Sequence, residues 1–253
     1  MSALLQARGL TRRYGAFTAV DGVDLDVADG TIHSIIGPNG AGKTTLFRLL
    51  TGIVRPSAGT LHFADDDVTG APPHVMARRG LAQSFQLTAI FPRLSVLESV
   101  QAAVIARHRR SYDVLSWFHR SCAAEARELL AKVGIERLAD RQARTLSHGD
   151  QRALDVALAL AVQPRLLLLD EPTAGMSGAE TRRTIELIAQ LSRSDGLTVL
   201  FSEHDLDMVF GISQTITVLH QGRVIADGPA AEVRANRDVM AIYLGGAAEG
   251  VHG

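Results

Sequence analysis

The residues able to do chemistry fall into two groups. The first is Gly37-Pro38-Asn39-Gly40-Ala41-Gly42-Lys43-Thr44-Thr45, whose spacing fits G-x-x-x-x-G-K-[ST]. Glycines at such positions let the backbone curl until successive N–H groups face an anion. A following helix adds the positive end of its dipole. Lys43 would then reach the β- and γ-phosphates of a nucleotide, and the Thr44 hydroxyl would hold Mg2+. Composition sharpens the lysine: of 26 basic residues only Lys43 and Lys132 are lysine, the rest arginine. A chain so biased keeps lysine where a compact point charge on a thin stem is needed. The second group is Asp170, Glu171 and His204. Asp170 and Glu171 end an apolar run. There, one acid can hold the water shell of Mg2+ and the next can poise a water for in-line attack on a γ-phosphate. His204 closes the next apolar run and is placed to hydrogen-bond that phosphate.

These residues need elements to hold them. Thr31 to Ile36 reads as a buried strand. After Lys43, the apolar Leu46, Phe47, Leu49 and Leu50 predict a helix that stops at Gly52. The glycine loop therefore lies between a strand and a helix, the setting its chemistry requires. Arg165 to Glu171 predicts a fully buried strand, and a parallel strand delivers its C-terminal end to the ligand crevice. Leu197 to Phe201 predicts the next strand, ending at Ser202-Glu203-His204. Residues 4–30 read as short strand pieces. In the clearest, Val23, Leu25 and Val27 alternate with Asp24 and Asp26, as in a half-buried antiparallel strand. Tyr14 lies in this early sheet, as a packed strand aromatic or as a platform for a base. Asp65-Asp66-Asp67 reads as a solvated turn. Thr215 to Leu219 and Val224 to Ala226 predict a hairpin over His220-Gln221-Gly222-Arg223.

Residues 87–163 differ in texture, with Ala, Leu and Arg at helical spacing. Cys122, Ala126, Leu129, Leu130 and Val133 make one apolar face, and Gly134 closes it. The helix after Ser147-His148-Gly149-Asp150 is apolar over much of its circumference and is expected to be buried. Ser177 and Glu180 form a capping-box pattern for a helix through about Leu191. Residues 232–244 predict a further helix. Strands alternating with helices predict an α/β fold with a parallel sheet.

The bulk properties exclude other classes. A formal net charge of −1 leaves no global field that favours nucleic acid. The single Cys122 excludes an intramolecular disulfide. The first residues lack the basic start and apolar run of a signal peptide. No segment approaches the ~18 apolar residues of a membrane span, so any membrane role is expected to run through a partner.

Taken in order, these motifs make the chain resemble the ATP-binding subunits of ABC transporters over essentially its whole length. That resemblance implies one domain, 1–253, with a P-loop NTPase (RecA-like) core. Residues 1–86 and 164–253 would form the ATP-binding core with an N-terminal antiparallel β subdomain, and 87–163 an α-helical subdomain. ATP and Mg2+ are the implied cofactors. Asn39, Gly40, Gly42, Lys43, Thr44 and Thr45 would surround the phosphates, and Tyr14 would stack on adenine. Gln86, in Ala82-Gln83-Ser84-Phe85-Gln86, matches the glutamine that touches Mg2+, beside Thr44 and Asp170. Glu171 and His204 match the catalytic glutamate and the switch histidine. Leu146-Ser147-His148-Gly149-Asp150 looks like the signature motif, whose helix points Ser147 and Gly149 at the nucleotide of a second subunit; the same residues also read as a plain helix cap. Two positions depart from the commonest pattern: His148 and Asp150 stand where Gly and Gln are usual, and Ala174-Gly175-Met176-Ser177 lacks the closing Asp.

Local features narrow the subfamily. Thr44 to Phe47, Gly80 to Gln86, Phe91 to Val100, Ala174 to Met176 and Ile242 to Gly245 are similar to the branched-chain amino-acid and amide uptake ATPases. Urea-uptake ATPases share most of them, and lipopolysaccharide-export ATPases share the end around Tyr243-Leu244-Gly245. The resemblance implies a second ATPase subunit, integral membrane permease subunits, a periplasmic or extracellular substrate-binding protein, no nucleic acid, and a place on the cytoplasmic face of the plasma membrane. The segment Gln86 to Leu94, with the helical insertion to about Thr145, is expected to dock the permease, with Phe91 at its centre. A soluble ABC ATPase acting on ribosomes or DNA fits less well, because there is one cassette, no sustained heptad pattern and no basic tail. A small-molecule kinase with a phosphate loop lacks the signature motif and His204.

Overall fold

The computed structural model describes residues 3–84, 93–107, 116–237 and 239. Two long strands open the chain, β1 (Ala3–Tyr14) and β2 (Phe17–Ala28). The sequence suggested short pieces here. β1 and β2 instead pair antiparallel along their whole length, with several register shifts that absorb the irregular sequence as bulges. Val23, Leu25 and Val27 point inward and Asp24 and Asp26 outward, the expected alternation.

Next come β3 (Ile32–Ile36), α1 (Lys43–Leu50), β4 (Ala58–Phe63), the two-residue β5 (Asp66–Asp67), α2 (Pro73–Arg78) and β6 (Leu81–Ser84). β4 and β5 extend the first sheet in the order β2-β1-β4-β5. The three aspartates are thus only in part a turn: Asp65 has φ +69°, and Asp66 and Asp67 pair with β4.

Helices follow: α3 (Val96–Arg107), α4 (Ser116–Lys132) and α5 (His148–Ala161). Cys122, Ala126, Leu130 and Val133 are buried, Leu129 packs at the margin, and Gly134 takes φ +75° beyond the helix end. The chain then returns through β7 (Leu166–Asp170), α6 (Gly178–Asp195), β8 (Thr198–Ser202), α7 (Leu206–Ile212), β9 (Thr215–His220), β10 (Arg223–Pro229) and α8 (Ala230–Ala235). The Ser177–Glu180 capping box is present, but α6 runs about a turn beyond Leu191 and stops where Gly196 adopts φ +63°. α7 has a cap the sequence reading passed over, the Asp205 side chain accepting from Met208 N–H.

The second sheet has the order β10-β9-β3-β8-β7-β6. All its pairings are parallel except β10 with β9. Two apolar cores flank it. Leu166 and Leu168 face one, with β1, β2, α1 and Phe63; Leu167 and Leu169 face the other, with α3, α4 and α5. A strand buried on both faces must be apolar at every position, which explains the run of four leucines. Among the described residues no helix is long and apolar enough to cross a membrane.

Candidate functional site

The glycine loop turns from β3 into α1 and is held from outside. Gly222 N–H donates to Ala41 O at 2.9 Å, and Asp21 N–H donates to Gly222 O at 2.8 Å. A Cβ on Gly37 would stand 2.2 Å from Leu219 O, and one on Gly42, where φ is +104°, 2.5 Å from Ala19 O. Both glycines are therefore demanded by close backbone approach as well as by backbone angle. No side chain caps α1 and its first turn has no acid, so its leading N–H groups suit an anion. Asn39, Gly40 and Thr44 are exposed and Thr45 half-buried.

Lys43 is buried at 6% exposure. Its Nζ donates to Gly37 O at 2.6 Å and to Pro38 O at 3.2 Å, so the ammonium sits across the mouth of its own loop. Burial lowers its pKa, and the charges of Glu171, Asp170 and Glu203 pull it back up. The two groups of chemical residues thus meet: three acids at the strand ends act on the one lysine of the loop.

Those acids are set by β7 and β8 lying side by side, with Asp170 opposite Ser202. Ser202 Oγ donates to Asp170 Oδ1 at 2.5 Å. Glu171 has left the strand with φ +48°. Pro172 after it disfavours the right-handed helical region, and Glu171 N–H is held by Ser202 O and Ser202 Oγ, each at 3.1 Å. This sparsely populated backbone turns the carboxylate aside, and Glu171 Oε1 lies 2.8 Å from His204 Nε2. Glu203 is the residue the sequence reading missed. It is 4% exposed. One carboxylate oxygen accepts from Thr173 N–H at 2.9 Å and from the Thr173 hydroxyl, and the other from His204 N–H at 2.9 Å. It ties the turn after β7 to the turn after β8. Its only sequence signal is an acid beside a histidine at a strand end.

Asp170 and Thr44 offer oxygen donors only, and Asp170 keeps one carboxylate oxygen beyond its bond from Ser202; such a set fits a hard cation such as Mg2+. Tyr14 is 44% exposed at the β1–β2 turn, opposite Phe17, with the Arg12 guanidinium 4.5 Å from its ring centre. Phe17 lies two residues before Ala19, which touches the glycine loop. Ser147 caps α5, its Oγ accepting from Asp150 N–H at 3.2 Å and donating to Asp150 Oδ2 at 2.9 Å. Ser147 and Gly149 line a cleft of about 600 Å³ with Ser84, Asp170 and Glu180. None of residues 37–45 lines it. Gln86 and Phe91 lie outside the described residues.

A family model described as ABC transporter matches residues 20–174. The chain belongs to the ABC transporter ATP-binding family. A second model, branched-chain amino acid ATP-binding cassette transporter, matches residues 223–249. The high-affinity branched-chain amino acid transport ATP-binding protein BraF of Pseudomonas aeruginosa is 39% identical over 96% of this chain and 98% of its own. The lipopolysaccharide export system ATP-binding protein LptB of Escherichia coli is 37% identical, with the same coverage. Among solved structures, an ATP-binding cassette in its ADP conformation superposes with a TM-score of 0.85 at 27% identity, over 97% of this chain and 100% of that one. A dimeric cassette in a post-hydrolysis state with ADP and phosphate gives 0.76 at 25% identity, over 89% and 98%. This ABC cassette is an ATP-binding ATPase, and the acids at the β7 and β8 ends act on the lysine of its glycine loop.

Proposed function

We propose that this cassette is the ATPase subunit of an importer for branched-chain or other amino acids, peripheral to the membrane on its cytoplasmic side. The observation that supports this best is the 39% identity to BraF across nearly the whole of both chains; the branched-chain model on residues 223–249 points the same way. In this reading, backbone N–H groups around Asn39, Gly40 and Gly42, with Lys43, Thr44 and Thr45, bind the phosphates, and Tyr14, backed by Arg12, carries the adenine. Thr44, Asp170 and Gln86 hold Mg2+, which when bound offsets charge on the phosphate oxygens. Glu171 orients and deprotonates the attacking water, and His204 steadies Glu171 from the neighbouring strand. Two such subunits face each other, each offering Ser147 and Gly149 to the partner's nucleotide. Residues 87–163 form the helical layer that meets the permease, and a substrate-binding protein delivers the cargo.

Deletion of the gene is expected to abolish uptake of radiolabelled leucine, isoleucine or valine, with recovery by the wild-type gene and none by Lys43→Ala. Normal amino-acid uptake together with a defective outer-membrane permeability barrier would favour the second reading, lipopolysaccharide export, which the 37% identity to LptB supports.

A further inference from the structure

The cleft of about 600 Å³ that contains Ser147 and Gly149 extends well past them. Its lining comes from α5 and the end of α4 on one side and from α6 on the other, with Leu169 and Asp170 of β7. Much of it is apolar: Val133, Ile135 and Val156 belong to the helical side, Leu187 and Ile188 to α6. A space of this size, mostly apolar with a few polar groups, suits a small organic molecule.

Four cations and four acids line the cleft, and most have partners. Lys132 Nζ pairs with Asp195 at 2.8 Å, and Arg137 approaches Asp150 at 3.8 Å. Asp150 also accepts from Ser147, Asp170 from Ser202, and Glu180 from Ser177. Two arginines are left over. Arg152 on α5 and Arg183 on α6 make no hydrogen bond or ion pair among the described residues. The charge of Arg152 acts on Asp155, three residues on, but the two form no ion pair. Arg152 Nε is moreover buried without an acceptor. A buried donor left unpaired is costly, and such groups call for a partner that supplies the acceptor. The fourth acid, Glu186, is exposed on α6, three residues from Arg183.

We propose that this cleft is an effector site for an organic monoanion, a carboxylate on an apolar body, with its head group held by Arg152 and Arg183 and its body on the apolar walls. Guanidinium forks match a carboxylate in shape as well as charge. The acids of the lining set the charge of the ligand. A polyanion such as a nucleotide would face Asp150, Asp170, Glu180 and Glu186 with like charge, and a cation would leave both arginines unpaired. The bound carboxylate shares the cleft with Asp170 at the end of β7. It adds negative charge beside the site that must accept phosphates, so it opposes ATP. The inference needs only that the chain is an ATPase, whatever cargo its transporter carries.

The test titrates the full chain with decanoate, decanol and decylamine by calorimetry, each below the concentration at which it aggregates. Decanoate is expected to bind about tenfold or more tighter than the other two, the worth of a charge-assisted hydrogen bond. Arg183→Gln, at an exposed position, should remove part of that preference, and Arg152→Gln with it the rest, while both variants keep basal ATPase activity. If Arg152→Gln does not fold, Arg183→Gln alone carries the comparison. Saturating decanoate should weaken ATP binding by about fivefold or more, and ATP should weaken decanoate by the same factor. The double variant should lose this coupling. Equal binding of the three probes, no binding of decanoate, or a preference that survives the double variant would overturn the proposal. So would an ATP affinity that bound decanoate leaves unchanged, which would deny the site its effect on the nucleotide.

Discussion

His204 Nε2 stands 2.8 Å from Glu171 Oε1, across the ends of two hydrogen-bonded parallel strands. Neither residue sits within a strand: each occupies the first irregular positions beyond one, where the backbone is free to aim a side chain. If Glu171 is the group that deprotonates water, Glu171→Gln should still bind Mg-ATP and lose hydrolysis by roughly 10²–10⁴. The ATP-bound dimer should become long-lived on size-exclusion chromatography. Near-normal turnover would remove Glu171 from the mechanism and leave water orientation to His204.

Lys43→Ala is expected to abolish nucleotide binding or hydrolysis with an unchanged circular dichroism spectrum. Lys43→Arg should fail as well, because a buried pocket shaped by the Gly37 and Pro38 carbonyls takes a compact ammonium and not a planar fork. Equal ATP affinity and turnover in either variant would count against the loop assignment.

Glu203→Gln replaces one acceptor oxygen by an amide that opposes an N–H. At a site holding Thr173 and His204 together, this should lower stability by about 1–3 kcal/mol. Because His204 depends on that bond, turnover should fall more than ATP affinity. A thermal melt with steady-state kinetics separates the two effects, and an unchanged melting temperature would show that the turn holds itself.

Gly149 has no room for a methyl group: a Cβ there would lie 2.7 Å from Glu180 Oε1, and Ser177 holds the other oxygen of that carboxylate. Gly149→Ala should therefore weaken ATP-driven dimerisation. Adding Glu180→Ala should restore part of it, at a loss of about 1 kcal/mol from the α6 cap. Simple additivity in a double-mutant cycle would deny the contact any role.

Asp155 ties stability to pH. Its carboxyl ionises near 3.8 when unfolded and near 6 in the fold, so the folded state binds the proton more tightly. The stability Asp155 contributes is then full below pH 4, declines between about 4 and 6, and is lost above that. Asp155→Asn should raise stability at pH 7 by about 1–2 kcal/mol, and the gain should vanish by pH 4. Denaturant titrations at both pH values check this; a gain equal at both would point to packing.

Much of the frame could be read from the chain because both faces of the central sheet are buried. Four leucines before Asp170, or Ile32, Ile35 and Ile36 before the glycine loop, have few other uses. The capping box at Ser177 and the glycine stops at Gly52 and Gly134 were legible because local hydrogen bonds and positive φ set them. What escaped was non-local. Glu203 matters through Thr173, thirty residues away in sequence. Asp155 looked like one polar position in an apolar helix, and only packing against α3 and β6 gives it surroundings. Positive φ at Glu171 had no signal beyond the following proline. The register shifts that let β1 and β2 run unbroken leave no periodic trace.

The brace on the glycine loop has a consequence for synthesis. Leu219 and Gly222, which crowd and hold Gly37, Ala41 and Gly42, lie about 180 residues downstream of them. A chain emerging from the ribosome therefore carries the complete nucleotide motif long before it carries the hairpin that shapes it. Until β9 and β10 are made, the loop is sequence without a socket, and β3 lacks one of its two strand neighbours. The shape of the glycine loop is thus settled late in translation, and a chain terminated before β9 and β10 would lack the brace that holds it.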